Sequence, residues 1–373
     1  MNKVALLFTN FEKEHFGKDV FIVPYLIHKK ENLPLEIAIP CSKTNKDVFN
    51  FKEEGVRFKK ITPFYFKGYR RLLTLAGLFY LLINSRKIKT LITFHFCLQT
   101  ALYIIVYKFC NNKGRAYVKL DIPLHIVGRI STLLNGNSLI ISRVIKRFIH
   151  DTDLFTCETS QCYEALKNSS IDKTFLNKLR IMPNGFDEST RINLNINICT
   201  PQEKENLIIT VGRLGNKDKN NEMFLRAIPM IKLSNWKIVF IGPEEEHFYI
   251  LRNQFLNQNI NLKDKVLFIG PIYNKKDLWT FYNKAKVFVF TSWRESYGLV
   301  LNEAYRFNNY IVSTDVGAAR DIINSNNGLI ISQDNAEELA DVLNRIINGT
   351  INITNAYSKD KSDIFWDNLI DCL

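Results

Sequence analysis

Apolar residues recur along this chain in two alternating rhythms. From Leu207 onward, short apolar runs predict strands at Leu207–Val211, Lys237–Ile241, Val266–Phe268, Val287–Phe290, Tyr310–Ser313 and Gly328–Ile331. Between them, amphipathic spacing predicts helices at Asn221–Ile231, Glu245–Asn257, Lys275–Lys284, Leu299–Phe307 and Asn335–Ile347. Strands that are apolar throughout, each followed by a helix, imply a parallel sheet covered on both faces. The first half shows the same rhythm less cleanly. Its strands fall at Lys3–Phe8, Leu35–Ile39, Leu91–Phe94, Arg115–Lys119, Leu154–Cys157 and Leu179–Met182, with helices at Lys18–Lys29, Tyr69–Asn84 and Cys162–Lys167.

Pro183-Asn184-Gly185 is a turn signal, and Arg191–Asn206 is polar and without apolar periodicity. The expected organisation is therefore an N-terminal domain over 1–190, a C-terminal domain over 206–355 and a tail over 356–373. In the tail, Ile364, Phe365, Leu369 and Ile370 stand at helical spacing, which predicts a return helix that packs back on the first domain. Two α/β domains of Rossmann-like type would enclose a cleft, with ligands at the carboxyl ends of the strands.

Composition narrows the class. The chain has 373 residues, 46% of them hydrophobic, with 16 Gly and 10 Pro, which excludes a disordered or collagen-like protein. Its seven cysteines are scattered without zinc spacing and read as reduced thiols in a reducing compartment. The N-terminal apolar run Val4–Phe8 is too short for a signal peptide, and the longest, Leu72–Ile83, falls short of the ~20 residues that span a bilayer. The expected location is cytoplasmic, and the sequons at Asn168, Asn348 and Asn352 then stay bare.

Charge is unevenly placed. Residues 51–150 carry 18 basic and 3 acidic side chains, whereas residues 151–373 carry 25 and 28. Such asymmetry points to a polyanion, either nucleic acid or an anionic membrane. Phe58–Lys89 interleaves basic residues with Phe64, Tyr65, Phe66, Tyr69, Phe79 and Tyr80, and Ile126–Ile149 places Arg129, Arg143, Lys146 and Arg147 among apolar residues. This pattern suits an interfacial membrane contact, and no nucleic-acid module accompanies it. The plainer alternative is a solvated basic face around core helices.

The densest chemical signal is Thr291-Ser292-Trp293-Arg294-Glu295-Ser296-Tyr297-Gly298-Leu299-Val300-Leu301-Asn302-Glu303, where a strand runs through a polar loop into a helix. The backbone N–H groups of Tyr297, Gly298, Leu299 and Val300 at that helix start favour a phosphate. Glu295 and Glu303 flank the cradle, and carboxylates there suit sugar and ribose hydroxyls rather than phosphate. With 19 Glu in the chain, about one pair at this spacing arises by chance, so the strand–loop–helix context carries the argument. A second signal, Gly212-Arg213-Leu214-Gly215 through Lys219, follows the first strand of the C-terminal half. Its glycines permit close approach, and Arg213 and Lys219 are suited to clamp a diphosphate. It matches neither GxxxxGK[ST] nor GxGxxG.

Together these segments resemble the retaining glycosyltransferases of family 4, also called group 1, with the GT-B fold. The resemblance rests on Glu295 and Glu303 as E-x7-E and on Gly212, Arg213, Leu214 and Lys219 as G-R-L…K. It is extended by Pro183-Asn184-Gly185-Phe186-Asp187, by Phe268-Ile269-Gly270-Pro271-Ile272 and by Thr314-Asp315-Val316-Gly317-Ala318. The resemblance implies that Arg213 and Lys219 hold the donor diphosphate, Glu303 the ribose and Glu295 the transferred sugar, while Gly270 and Ile272 meet the nucleobase. It implies a nucleoside diphosphate sugar as donor substrate, no separate cofactor and no metal. The expected acceptor is a saccharide or lipid-linked saccharide at the inner face of the cytoplasmic membrane, as in capsule or O-antigen assembly. The alternatives are a phosphorylase-like or epimerase enzyme of this fold, or a catalytically silent membrane-surface scaffold.

The N-terminal half departs from the family pattern. Where many members have a Gly-Gly loop, only Gly17 stands, in His15-Phe16-Gly17-Lys18-Asp19. His95 and Asp121, each at the end of a predicted strand, are the candidates for reaching the reacting sugar, although a lone residue there is more often structural. Asp151-Thr152-Asp153 has the D-x-D form of a metal-dependent transferase, but it precedes a strand instead of ending one and reads as a loop.

Overall fold

In the first half of the chain the apolar runs pair into one parallel sheet ordered β3-β2-β1-β4-β5-β6-β7. Its strands are β1 (Lys3–Leu7), β2 (Leu35–Ile39), β3 (Val56–Lys60), β4 (Ile88–Phe94), β5 (Arg115–Lys119), β6 (Leu154–Cys157) and β7 (Leu179–Ile181). This computed structural model describes residues 2–41, 44–62, 70–128, 130, 132, 138–169, 172–357 and 360–370. Packed with the sheet are α1 (Asp19–Glu31), α2 (Arg70–Asn84), α3 (Leu98–Cys110), α4 (Leu139–Asp151), α5 (Ser160–Asn168) and α6 (Lys173–Lys178). The backbone divides into two compact units, the first comprising Met1–Pro183 with Ile370–Leu373 and the second Asn184–Leu369.

The second unit has a six-stranded parallel sheet ordered β10-β9-β8-β11-β12-β13. Its strands are β8 (Glu205–Val211), β9 (Lys237–Ile241), β10 (Val266–Phe268), β11 (Ala285–Phe290), β12 (Tyr310–Thr314) and β13 (Gly328–Ile331). Its helices are α7 (Glu188–Asn193), α8 (Asn221–Ala227), α9 (Glu246–Gln258), α10 (Lys275–Lys284), α11 (Leu299–Arg306), α12 (Ala319–Ile322), α13 (Ala336–Ile347) and α14 (Trp366–Leu369). Each face of this sheet has its own apolar core, one centred on Phe224, Phe240 and Leu343, the other on Trp279, Phe288 and Phe307. In both sheets the strand order reverses beside the first strand, between β1 and β4 and between β8 and β11. That reversal opens a crevice at the carboxyl ends, where such sheets take ligands.

Several elements differ from the sequence expectation for identifiable reasons. β3 is an edge strand whose Arg57, Lys59 and Lys60 break the apolar run. The expected helix Asn221–Ile231 ends at Ala227 and continues as a 3-10 turn over Ile228–Met230, because Pro229 offers no N–H to an α-helical bond. The tail is not one helix. It holds 3-10 turns at Thr354–Ala356 and Ser362–Ile364 and the four-residue α14, with Phe365 in a parallel bridge to Phe186.

Candidate functional site

Two loops meet at the β8/β11 switch point of the second unit. After β8, the chain turns through Gly212–Lys219; after β11, it turns through Thr291–Gly298. Trp293 donates its N–H to Asp218 O at 2.7 Å, and Thr291 Oγ1 donates to Lys219 O at 3.2 Å. Lys219 Nζ forms an ion pair with Glu295 Oε1 at 2.5 Å, and Ser292 Oγ donates to the same oxygen at 2.8 Å. The expected diphosphate cation and the expected sugar carboxylate are thus brought into direct contact. Arg213 is exposed, and its guanidinium pairs with none of the described residues. A cavity of about 530 Å³ lies along the outer parts of both loops, lined by Gly215, Asp218, Asn220, Glu222, Trp293 and Arg294 among others; it takes in none of Arg213, Lys219, Glu295 or Glu303.

Glycines shape these loops at two close approaches. A Cβ on Gly242 would stand 1.7 Å from Gly212 O, so the loops after β8 and β9 cross only because Gly242 has no side chain. A Cβ on Gly317 would stand 2.2 Å from Tyr297 O and 3.0 Å from Glu295 Cβ, and Ala318 donates its N–H to Tyr297 O at 2.8 Å. The Thr314–Ala318 segment therefore braces the loop that carries Glu295. Thr314 Oγ1 adds a 2.6 Å bond to Ser292 O.

Gly298 is the N-cap of α11, with φ of 87°, and has no side chain to cap the first turn. The N–H groups of Leu299 and Val300 open that turn, with the positive end of the helix dipole behind them. The Tyr297 side chain is buried and donates to Asn302 Oδ1 at 3.1 Å, while Asn302 Nδ2 donates to Asn184 O at 2.6 Å. The Pro-Asn-Gly turn is thereby tied to α11. Gly270 holds φ of 73° and accepts the Gly242 N–H at 2.9 Å, and Ile272 packs partly buried on the Trp279 side of the sheet.

Glu303 lies on α11 against α10. The Trp279 indole N–H donates to its Oε1 at 2.9 Å; burial raises the Glu303 pKa, and hydrogen bonding by Trp279, the charge of Lys275 and hydrogen bonding by Tyr282 oppose the rise. This carboxylate already has an indole partner, a feature that the spacing of the two Glu residues did not reveal.

In the first unit, Gly17 closes the 3-10 turn Lys13–Gly17, and among the described residues a Cβ there would meet nothing within 4 Å. His95 and Asp121 follow β4 and β5 and both have left-handed backbone, with φ of 68° and 44°. His95 is exposed, and its N–H donates to Lys119 O at 2.8 Å. The D-x-D acids serve the fold: Asp151 takes Arg147 and His150, and Asp153 takes Lys108 and the Ala116 N–H. Among the described residues no group of three His, Cys, Asp or Glu side chains is placed to hold a metal, and no helix is long and apolar enough to cross a membrane. Sequence reasoning passed over Lys119 and Glu158, a buried ion pair 2.9 Å apart. A readable signal existed, since Lys119 ends one strand and Glu158 directly follows the next.

Comparison with known proteins adds one decisive observation. Residues 193–361 match the glycosyl transferases group 1 family. An uncharacterized glycosyltransferase of Methanocaldococcus jannaschii and the capsular polysaccharide biosynthesis glycosyltransferase CapM of Staphylococcus aureus are each 27% identical over 231 residues. Those stretches cover 57% and 55% of this chain and 58% of each relative, so the match spans little more than half the length of either. The O-antigen chain mannosyltransferase RfbU of Salmonella typhimurium is 24% identical over 329 residues, 83% of this chain and 84% of that protein. The crystal structure of Anabaena Alr3699/HepE in complex with UDP superposes with a TM-score of 0.70 at 15% identity, covering 99% of this chain and 97% of that one. The two parallel-sheet α/β units are those of the GT-B glycosyltransferase fold. Both loops of the switch point, with Arg213, Lys219, Glu295 and Glu303, lie inside the group 1 segment.

Proposed function

We propose that the protein transfers a sugar from a nucleoside diphosphate donor to a saccharide or lipid-linked saccharide, with retention of configuration and without a divalent cation. One observation carries the reading: at the β8/β11 switch point the Lys219–Glu295 ion pair joins the loop that carries Arg213 to the loop that leads into the first turn of α11. In the reaction the bond between the anomeric carbon and the diphosphate oxygen breaks, and its electron pair stays on the diphosphate. The acceptor hydroxyl oxygen bonds to the anomeric carbon from the same face, and its proton passes to the departing phosphate oxygen. The developing charge is met by Arg213, Lys219 and the N–H groups of Leu299 and Val300. Glu303 holds the ribose, Gly270 and Ile272 meet the nucleobase, and Glu295 holds the transferred sugar, with Lys219 keeping its carboxylate in place. At the carboxyl ends of β4 and β5 in the first unit, His95 and Asp121 offer side chains suited to sugar hydroxyls.

The names of the capsular and O-antigen relatives support a role in surface polysaccharide assembly. The first unit supports a peripheral membrane location. Leu75, Phe79, Leu82 and Ile83 are exposed on α2, Phe109 on α3, and Leu139 and Ile140 on α4, with exposed Arg143, Lys146 and Arg147 beside them. The helices α2, α3 and α4 pack in sequence, so these residues gather on one unit. Apolar residues flanked by cations match an anionic lipid surface. The aromatic and basic residues at 63–71 and Arg129, expected on the same face, lie outside those whose side chains are described.

A thermal-shift screen of UDP-, GDP-, ADP- and CDP-sugars tests the enzyme reading. A donor at 100 times its dissociation constant adds about 2.7 kcal/mol to stability. Stabilisation by one donor class, followed by nucleoside diphosphate release that persists in excess EDTA, is the expected result. No shift with any of the four classes would leave the scaffold reading in its place; nucleotide release that needs inorganic phosphate would favour the phosphorylase-like one.

A further inference from the structure

The first unit carries a charged cluster that the reaction above leaves unused. Lys119, the last residue of β5, is fully buried. Its Nζ lies 2.9 Å from Glu158 Oε1 and 3.6 Å from Asp19 Oδ2. Glu158 follows β6 and Asp19 opens α1, with exposures of 1% and 6%. One ammonium therefore faces two carboxylates away from water, and among the described residues Asp19 Oδ2 and Glu158 Oε2 have no hydrogen-bond partner. Buried charge left partly unpaired is costly, and well-packed apolar residues would stabilise such a position better.

The cluster holds two backbones in a conformation they would not adopt freely. Glu158 Oε1 also accepts the Asp121 N–H at 3.0 Å, and Lys119 O accepts the His95 N–H at 2.8 Å. Asp121 and His95 are the residues with φ of 44° and 68° at the carboxyl ends of neighbouring strands. Left-handed backbone is disfavoured for residues with a Cβ and persists where the surroundings impose it, commonly at functional sites. Resting on the glycosyltransferase reading, we propose that Glu158, held by Lys119 and Asp19, is a positioning residue that fixes Asp121, and through Lys119 also His95, in the conformations that bind a sugar hydroxyl at the carboxyl ends of β4 and β5.

The same geometry makes the arrangement sensitive to pH. Facing Glu158 are Lys119 and Tyr117 from β5, Asp19 from α1, Asp121 from the loop after β5, and Cys157 from its own strand. Burial pushes the Glu158 carboxyl up to about 7, against the pull of Lys119 and with Asp121 and Asp19 adding to the rise. A protonated carboxyl accepts the Asp121 N–H less strongly, so the hold on Asp121 loosens as pH falls through that range.

The test uses the full chain and follows nucleoside diphosphate release from UDP-glucose, UDP-galactose, UDP-N-acetylglucosamine and GDP-mannose, with water as acceptor. Glu158→Gln and Asp121→Ala should each lower kcat/KM about tenfold, and the double variant should lose no more than Asp121→Ala alone. Affinity for free UDP or GDP should stay unchanged, and the acid limb of the wild-type pH profile near 7 should vanish in Glu158→Gln. If Glu158→Gln does not fold, the charge-removing pair Lys119→Met with Glu158→Leu should fold and show the same loss. Wild-type kcat/KM and an unchanged acid limb in Glu158→Gln, or additive losses with Asp121→Ala, would overturn the proposal alone. A wild-type protein that releases nucleotide from none of the four donors would remove the enzyme reading, and this inference with it.

Discussion

Trp279 donates its indole N–H to Glu303 Oε1 at 2.9 Å, so the carboxylate proposed for the ribose is oriented from below by a ring that is itself buried. The contact opposes the rise that burial imposes on the Glu303 pKa, and Lys275 and Tyr282 act in the same sense. An interaction with ribose exists in the bound donor and in the transition state alike, and such uniform binding mainly lowers KM. Glu303→Gln should therefore raise the donor KM with a smaller change in kcat, whereas Glu295→Gln should chiefly lower kcat. Trp279→Phe should imitate Glu303→Gln more weakly. Because it removes a donor to the ionised form, the acid-side rise in KM should begin at higher pH than in wild type. Steady-state kinetics across pH checks this, and an unshifted acid limb in Trp279→Phe would dissociate the indole from the carboxylate's function.

The two cations should separate by what else they do. Arg213 is exposed and unpaired among the described residues, so Arg213→Ala should remove only ligand contacts. We expect turnover to fall on the order of 10²-fold, the scale for losing a charge-stabilising donor, with an unchanged melting temperature. Lys219→Ala should cost as much turnover and also free the Glu295 carboxylate, which would retain Ser292 as its hydrogen-bond partner. Activity within threefold of wild type in both variants would end the diphosphate assignment.

Much of the fold that carries these loops is legible in the sequence. The strands Lys237–Ile241, Val266–Phe268 and Gly328–Ile331 and the helix Lys275–Lys284 fall where the apolar pattern puts them. Among the helices that the pattern does not predict are two of 13 residues. Leu98–Cys110 is apolar nearly all round, so no period shows, and Leu139–Asp151 buries Ile145, Phe148 and Ile149 but exposes Leu139 and Ile140 at its start, which blurs its face. Motif spacing located the loops that carry Arg213, Lys219 and Glu295. It could not show that Lys219 and Glu295 pair, nor that Trp279, 24 residues from Glu303, supplies its partner. Contacts between side chains far apart in sequence depend on packing, and packing is not periodic.

Glycine substitutions should rank by what the new Cβ meets. Gly242→Ala places a methyl 1.7 Å from Gly212 O, a backbone atom that cannot step aside without moving the diphosphate loop. Among the described residues Gly270→Ala meets nothing within 4 Å and bears only the cost of φ at 73°. That cost is about 1–2 kcal/mol. Overpacking adds about 1–3 kcal/mol, so Gly242→Ala should melt at clearly lower temperature than Gly270→Ala and lose nucleotide binding as well. Equal melting temperatures would show that the crossing of the two loops is looser than the structure has it.

The membrane reading predicts two separable losses. Replacing Phe79, Leu139 and Ile140 by Ser should weaken binding to anionic vesicles at every salt concentration, because apolar insertion is lost. Replacing Arg143, Lys146 and Arg147 by Gln should instead flatten the salt dependence, since each suitably placed cation contributes about 1 kcal/mol near an anionic surface, screened within ~8 Å at physiological salt. Vesicle sedimentation from low to high salt distinguishes them. Equal binding of wild type to neutral and anionic vesicles would sink the electrostatic half.

Glu158 should write its buried position into the pH dependence of stability. Its carboxyl moves from the ordinary 4.5 to about 7 in the folded chain, chiefly through burial. Between those values the folded protein retains a proton that the unfolded chain has released. The folded state binds more protons there, so this group's contribution to stability is present below about 4.5 and declines as pH rises through about 7. At about 1.4 kcal/mol per pKa unit, the decline amounts to about 3 kcal/mol. Glu158→Gln cannot release a proton and lacks this slope, while Asp19, also raised by burial, continues to titrate in both proteins. The melting temperature of the variant relative to wild type should therefore climb across that interval and level off above it. Calorimetric scans at half-unit steps from pH 5 to 8 would measure the difference directly. Curves that stay parallel over the whole range would mean that Glu158 is ionised throughout, with Lys119 compensating its burial in full.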